Sequence, residues 1–200
     1  MECKETLAFL LKNTSILLIN PKTIHNNYIN KIAHIETTKC NLDSCHKALE
    51  TIHRMLELLR ESNLEELEKE YTRLFVSNYP RLPCPLYESA YVGKDRFLAE
   101  PTVINDINHI LSKLNLELNK DLYRFPDSLP VELELAHILV ALEPEDPENI
   151  TPLINLLLIK HLSKWLPIIS RCIWQNTSNP YYRSLSRLLA GIADCISDIY

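Results

Sequence analysis

The segment EYTRLFVSNYPRLPCPLYESAYVG, residues 70–93, joins two unlike pieces of chain. Its first residues are typical of the end of a helix, because Tyr71, Leu74 and Phe75 recur at steps of three and four. Prolines follow at positions 80, 83 and 85, and proline cannot continue a helix interior. Long irregular loops in compact domains often have a function, so the loop 77–86 predicts a place where another chain docks.

Helical patterns extend outward from this loop on both sides. A stripe of apolar residues at helical spacing predicts a helix that begins near Asp43 or Ser44, either of which can cap it. The stripe consists of Cys45, Ala48, Leu49, Ile52, Met55, Leu56 and Leu59. A helix capped by Asn63 is predicted over 64–76. Further helices are predicted over 3–19, 23–35, 102–114, 129–142, 151–165, 168–175 and from Asn179-Pro180 to the C-terminus.

Turn and strand signals are scarce. The chain has two glycines, whereas β-rich folds usually need more of them for tight turns. No stretch alternates apolar and polar residues with a period of two. The sequence therefore predicts an all-α, single-domain bundle of roughly eight to ten helices over residues 1–200. The loop 77–86 and the acidic loop 143–149 lie inside this domain.

Composition excludes several classes of protein. A formal net charge of −5 argues against nucleic-acid binding, which needs clustered Lys and Arg. The longest apolar stretch, 153–159, is far shorter than the ~20 residues of a membrane span, so no direct membrane insertion is expected. No secretory leader is recognisable, and the six cysteines include no CxxC pair. These features predict a cytoplasmic protein with reduced thiols.

Two Glu-x-x-His pairs, Glu50/His53 and Glu134/His137, have the spacing used by di-metal bundle proteins. At about 100° of rotation per residue, both pairs fall on the polar sides of their helices, which favours solvated faces over a metal site. No GxSxG or phosphate-binding glycine loop is present, and Cys84 has no neighbouring Lys or His to activate it. We therefore expect no catalytic site, no bound metal and no cofactor.

Glu132 falls within the apolar arc of its predicted helix, beside Ala136, Leu139 and Val140. A carboxylate facing a core is costly unless it is hydrogen-bonded or has a raised pKa. Two interpretations remain open. Glu132 ties down the loop 77–86 or the turn before its own helix, or it faces a groove and meets a basic group of a ligand.

The motifs on either side of the loop resemble those of the TorD/DmsD/NarJ group, the cytoplasmic chaperones that mature molybdoenzymes. The resemblance covers residues 64–142 and rests on three motifs. These are Tyr71-x-x-Leu74-Phe75, Pro85-Leu86-Tyr87-Glu88-Ser89-Ala90-Tyr91, and Pro126-Asp127 followed by Val131-Glu132-Leu133-Glu134-Leu135. Ser128 stands where the family usually has a histidine.

The resemblance implies a TorD-like helical fold and a chaperone that is not an enzyme. Such a chaperone binds the catalytic subunit of a molybdopterin-containing oxidoreductase, or its twin-arginine signal peptide, until the cofactor is inserted. Some members form homodimers, and nucleotide binding has been ascribed to some. The residues expected to surround the client site are Tyr71, Leu74, Phe75, Tyr87, Glu88, Tyr91, Pro126, Asp127, Ser128 and Glu132.

A groove for a twin-arginine peptide needs fixed carboxylates beside an apolar wall. We therefore expect the loop 77–86 and the turn 126–128 to meet around a crevice with aromatic walls. Its edge would carry the carboxylates of Glu88, Asp127 and Glu132. Two alternatives stay open, a di-metal protein or enzyme using the Glu-x-x-His pairs and a helical adaptor with an unrelated partner.

Overall fold

The computed structural model describes residues 2–27, 40–92, 100–119 and 125–200, and helices dominate them. The helices are α1 (Glu2–Leu17), α2 (Pro21–Asn27), α3 (Asp43–Glu61), α4 (Leu64–Tyr71), α5 (Ser89–Val92), α6 (Pro101–Lys113), α7 (Leu129–Leu142), α8 (Pro147–Ile154), α9 (Ser163–Asn176) and α10 (Pro180–Ile199). Two π-helical segments, Thr72–Val76 and Asn155–Leu162, extend α4 and join α8 to α9. None of these residues forms a strand, and the predicted all-α class is confirmed.

The C-terminal helix α10 lies at the centre of the packing. It packs most extensively against α3 on one side and α9 on the other, while α1 packs against α7. The apolar stripe predicted for α3 packs against α10, and Ile52 of α3 and Leu188 of α10 are fully buried. Trp165, Tyr181 and Tyr182 are the largest buried side chains. Burial of such side chains stabilises the fold by about 1.5–3 kcal/mol each relative to exposure.

Helix starts agree only in part with the sequence-based predictions. The side chain of Asn63 accepts a hydrogen bond from the Glu65 amide at 2.9 Å, so this predicted cap is confirmed. The predicted cap of α3 is wrong, because the N-cap position is Leu42, which provides no side-chain bond. Asp43 instead pairs with Lys47, and Ser44 donates to Asp198. Of the helix predicted over 23–35, residues 23–27 lie in α2, and residues 28–35 lie outside the described residues.

The predicted break at Pro167 does not occur. Residues 147–176 are helical throughout, with Pro152 inside α8 and Pro167 inside α9. An interior proline costs about 3 kcal/mol because it lacks an N–H and clashes with the preceding turn. Burial of Trp165, Leu166 and Ile169 in the core outweighs that cost.

The 30-residue helical run 147–176 is long and apolar enough to span a membrane by length and composition, but 56% of its most apolar window is buried within the protein.

The prediction of reduced thiols is wrong. All six cysteines form disulfides, which pair Cys3 with Cys40, Cys45 with Cys195 and Cys84 with Cys172. The partners are 37, 150 and 88 residues apart, so only the tertiary fold brings them together. The second bond links α3 to α10 at the centre of the molecule.

The contact between α3 and α10 includes a glycine. A Cβ built on Gly191 of α10 would lie 3.4 Å from the Cβ of Ala48 in α3, an ordinary van der Waals distance. Since Gly191 has no positive φ and lies inside a helix, alanine should fit there.

We expect Gly191→Ala to raise the free energy of unfolding by about 0.5–1 kcal/mol, because alanine loses less backbone entropy in a helix. Gly191→Leu should lower it, because the larger side chain would push α3 away from α10. Denaturant titration followed by circular dichroism measures both. A destabilising alanine would show that α3 and α10 leave less room at Gly191 than the 3.4 Å distance to Ala48 indicates.

Candidate functional site

The loop 77–86 and the turn 126–128 lie side by side, as expected from the sequence. Tyr87 and Ser128 form an antiparallel bridge. The Glu88 amide donates to the Asp127 carbonyl at 3.0 Å, and the Leu129 amide donates to the Leu86 carbonyl at 2.9 Å. These bonds pair backbone groups that would otherwise be left unsatisfied. They fix the far end of the loop at the start of α7.

Asp127 holds the first turn of α5. Its carboxylate Oδ2 accepts a hydrogen bond from the Ser89 amide at 2.9 Å, and only 1% of the residue is exposed. The Asp127 side chain directly precedes α7, yet it caps the helix across the bridge. Ser128 occupies the N-cap position of α7 without a side-chain cap bond, and the preceding Pro126 is half-buried.

A buried ionic chain begins at Glu88, which is 3% exposed. Its carboxylate contacts Nδ1 of His161 at 2.8 Å, and Nε2 of the same ring contacts Asp106 at 3.0 Å. Lys160 pairs with Asp106 at the outer end of the chain. Burial alone would lower the pKa of His161, but the hydrogen bonds and charges of Glu88 and Asp106 outweigh burial and raise it. His161 is therefore favoured as the cation between two carboxylates.

Glu132 is fully buried behind this chain. The Trp165 indole N–H donates to its Oε2 at 2.9 Å. Burial raises the pKa of Glu132 well above its usual value, and the nearby charges of Glu88 and Asp127 raise it further. The neutral acid is thus the favoured form in the folded protein.

The first sequence motif lies mainly in the core. Leu74 is fully buried and Phe75 nearly so, with the Phe75 ring 5.8 Å from that of Tyr182. Tyr71 is half-buried, packs edge-on against Phe75, and donates its hydroxyl proton to the Leu18 carbonyl at 3.2 Å. These residues anchor the chain that leads into the loop 77–86 to the core.

An open groove of about 650 Å³ lies between the proline-rich loop and α9. We call it the loop–α9 groove. It is lined by Asn78, Tyr79, Pro80, Arg81, Pro83, Ala90, Tyr91, Ile168, Arg171, Cys172, Gln175 and Asn176. Tyr79 is 94% exposed and Ile168 is 45% exposed. The Cys84–Cys172 disulfide anchors the loop to α9 beneath the groove.

The predicted crevice therefore needs correction. The two segments meet, but the carboxylates of Glu88, Asp127 and Glu132 point into the interior and do not edge an opening. The Tyr87 ring packs 5.2 Å from that of Phe125, and of the predicted residues only Tyr91 lines the loop–α9 groove. The predicted role of these residues in client binding stays a prediction.

Comparison with known proteins identifies the family. A model of the nitrate reductase delta subunit family matches residues 40–170, more than half of the chain. The chain belongs to this family. The solved structures that it resembles include a protein from Archaeoglobus fulgidus described as a "putative redox enzyme maturation protein", with a TM-score of 0.60 and 18% sequence identity. The likeness covers 94% of this chain and 91% of that chain, and it shows a common fold.

The comparison with curated proteins gives no match. The nitrate reductase delta family comprises chaperone-type maturation proteins of molybdoenzymes, so the resemblance found in the sequence is confirmed. The match spans the proline-rich loop, the bridge at Ser128 and the start of α9.

Sequence reasoning missed several residues of this delta-family site. His161 supplies the imidazole that contacts Glu88, yet no motif marks it in the sequence. Ile168 and Arg171 line the groove, and the expected break at Pro167 concealed their place on a continuous helix. The one sequence signal for this part of the groove was the apolar residue Ile168, which is exposed on α9.

The Glu-x-x-His pairs do not converge on a site. Glu50, His53 and Glu134 are exposed, as expected. His137 is half-buried instead, with Nδ1 3.0 Å from the Ala8 carbonyl oxygen. The described residues contain no group of three or more His, Cys, Asp or Glu placed to hold a metal ion.

The buried acid in α7 gives a pH-dependent prediction. Because its pKa is raised on folding, Glu132 ionises more readily in the unfolded chain. The contribution of Glu132 to the free energy of unfolding therefore falls as pH rises above about 4.5. Glu132→Gln cannot ionise and still accepts from Trp165. Its unfolding free energy should therefore rise relative to wild type with pH, by about 1.4 kcal/mol for each unit of the pKa shift.

Glu134→Gln is the matched control, because Glu134 is exposed on the same helix. Its stability should follow the wild-type pH profile. Denaturant titrations from pH 4 to 9 compare the three proteins. A Glu132→Gln profile parallel to wild type would contradict a buried, neutral Glu132.

The Cys84–Cys172 disulfide gives a second prediction. Reduction, or Cys172→Ser, should free the loop 77–86 and speed trypsin cleavage after the exposed Arg81 by about tenfold or more, because the cross-link limits local opening. Mass spectrometry of timed native digests measures the rate. Cys3→Ser removes a disulfide elsewhere and should leave this cleavage unchanged; equal rates in all variants would show that other contacts hold the loop.

Proposed function

We propose that this delta-family chain is a cytoplasmic chaperone dedicated to a molybdopterin-containing oxidoreductase. It binds the catalytic subunit, or the twin-arginine leader of that subunit, and assists cofactor insertion and assembly before export. It acts as a single helical domain and performs no chemistry of its own.

Membership of the nitrate reductase delta subunit family carries this proposal. The fold shared with the protein from Archaeoglobus fulgidus supports it. The loop–α9 groove also supports the proposal, since it combines exposed apolar side chains with a rigid wall. Exposed apolar patches on a protein surface often mark interaction sites.

The rigidity of the groove matters for affinity. A partner that binds a flexible loop must order it, which costs about 0.5–1.5 kcal/mol for each immobilised side chain. Here the disulfide to Cys172 and the bridge at Ser128 have already ordered the loop. The chaperone can therefore hold a client segment without a large loss of entropy.

The location in the cytoplasm is part of the proposal. Disulfides persist in oxidising compartments, and they also occur in intracellular proteins of hyperthermophiles. Three disulfides are thus compatible with a chaperone that meets its client before export.

Co-purification tests the proposal. The tagged chain is co-expressed with the molybdopterin oxidoreductase catalytic subunits of its source genome, one at a time. We expect one subunit to be retained and its molybdenum content to rise when the chain is present. Ile168→Asp should weaken retention about tenfold, because burying an apolar side chain contributes about 1.5–3 kcal/mol.

Leu142→Asp is the matched control. Leu142 is 36% exposed at the end of α7 and does not line the groove, so retention should be unchanged. Failure to retain any catalytic subunit would overturn the chaperone proposal. Retention of an unrelated protein through the same groove would instead favour a helical adaptor.

A further inference from the structure

The charge of the loop–α9 groove differs from that of the protein as a whole. The chain carries a formal net charge of −5, yet the described residues that line the groove include Arg81 and Arg171 and no carboxylate. Both arginines are exposed, and no carboxylate of the described residues pairs with either. The groove is therefore a local positive site on an acidic protein.

A second hollow adjoins the groove and shares Gln175 and Asn176 with it. Among the described residues that line it, one carries a carboxylate, Glu70. This carboxylate is already bound by the Arg73 guanidinium through two bonds of 2.7 Å and by the Thr177 hydroxyl. These hydrogen bonds lower the pKa of Glu70, so its charge stays committed to Arg73. Little negative charge is left for a ligand to meet.

Two further arginines extend the positive surface along α10. The guanidinium carbons of Arg183 and Arg187 lie 4.7 and 5.2 Å from the centre of the Trp174 ring. Arg183 also donates to the Thr177 carbonyl at 3.1 Å. The Trp174 ring holds these side chains in place by cation–π attraction, and both keep their charge available to a partner.

Apolar side chains alternate with the arginines on this surface. Tyr79 and Ile168 line the groove, and Trp174 is 39% exposed in the adjoining hollow. A small anion would use the charges alone and leave these side chains in water. A peptide that carries both carboxylates and apolar side chains would satisfy both features.

The same charges disfavour a ligand that presents paired arginines. Like charges placed together across an interface cost several kcal/mol. The carboxylates that would have received guanidinium groups, Glu88 and Glu132, are buried and bound to His161 and Trp165. The groove is therefore poorly suited to the twin-arginine part of a leader.

We propose that the loop–α9 groove binds an acidic, apolar segment of the client's catalytic subunit, with Arg81 and Arg171 receiving its carboxylates. This inference rests on the proposed function, because it names which part of the client occupies the site. The leucine- or phenylalanine-type side chains of that segment pack on Tyr79 and Ile168. If the bound segment is long enough to pass Asn176 of the groove and enter the adjoining hollow, Arg183 and Arg187 bind further carboxylates of the segment.

Two labelled peptides test the charge preference by fluorescence anisotropy. The acidic probe has three leucines flanked by pairs of aspartates, and the basic probe has arginines in place of the aspartates. The wild-type chain should bind the acidic probe at least about tenfold more tightly, with affinity that falls as salt is added. Equal binding of both probes would overturn the proposal.

The double variant Arg81→Glu/Arg171→Glu should lose about tenfold or more in affinity for the acidic probe and gain affinity for the basic one. Lys22→Glu changes charge at an exposed position outside both hollows and should bind like wild type. Circular dichroism verifies that each variant folds. If Lys22→Glu weakens binding as much as the single Arg81→Glu change does, the effect is one of net charge and the proposal fails.

Client retention separates this inference from the proposed function. If the catalytic subunit is retained equally by wild type and by the double variant, the chaperone stands and the groove assignment is overturned. If the acidic probe binds with the expected charge dependence but no catalytic subunit is retained, the recognition chemistry stands and the chaperone function is overturned. Loss of retention in the double variant alone supports both.

Discussion

The antiparallel bridge between Tyr87 and Ser128 is the constraint on which the site depends. It joins segments about forty residues apart in sequence and uses backbone groups that lie away from water. Asp127 strengthens it by capping α5 through the Ser89 amide. If the loop moved, a buried carboxylate and several amides would lose their partners, at about 1–3 kcal/mol for each group. The far end of the loop is therefore held at the start of α7.

The acidic residues beside this bridge act from inside the protein. Glu88 is acceptable in the interior because His161 can carry a positive charge between it and Asp106. Glu132 is acceptable because the protonated form needs no counter-ion and one oxygen still accepts from Trp165. The first set of contacts ties the residue before α5 and helix α6 to the π-helical segment Asn155–Leu162. The second ties α7 to α9. The carboxylates thus act on the shape of this region from the interior, since Glu88, Asp127 and Glu132 are all buried.

The arginines take the opposite place, on the outside of the same region. In the proposed complex, the positive groove attracts an acidic segment at short range, while the remaining acidic surface repels similar chains. Such an arrangement favours selectivity over tight binding, which suits a chaperone that must release its client. Membership of the family is the basis for proposing a molybdoenzyme subunit as the client. The side chains of the groove are the basis for proposing which segment of that subunit binds.

The sequence by itself determined the helices, the Asn63 cap, the loop 77–86 and the family motifs, because periodicity, proline and residue spacing are local properties. It also placed the loop beside the turn 126–128 through the order of those motifs. Only the tertiary structure decided that Glu88, Asp127 and Glu132 are buried and that the arginines line the opening. The same holds for His161 and the three disulfides. Each of these depends on contacts between residues far apart in the chain, and a helical wheel cannot say which helix a face will meet.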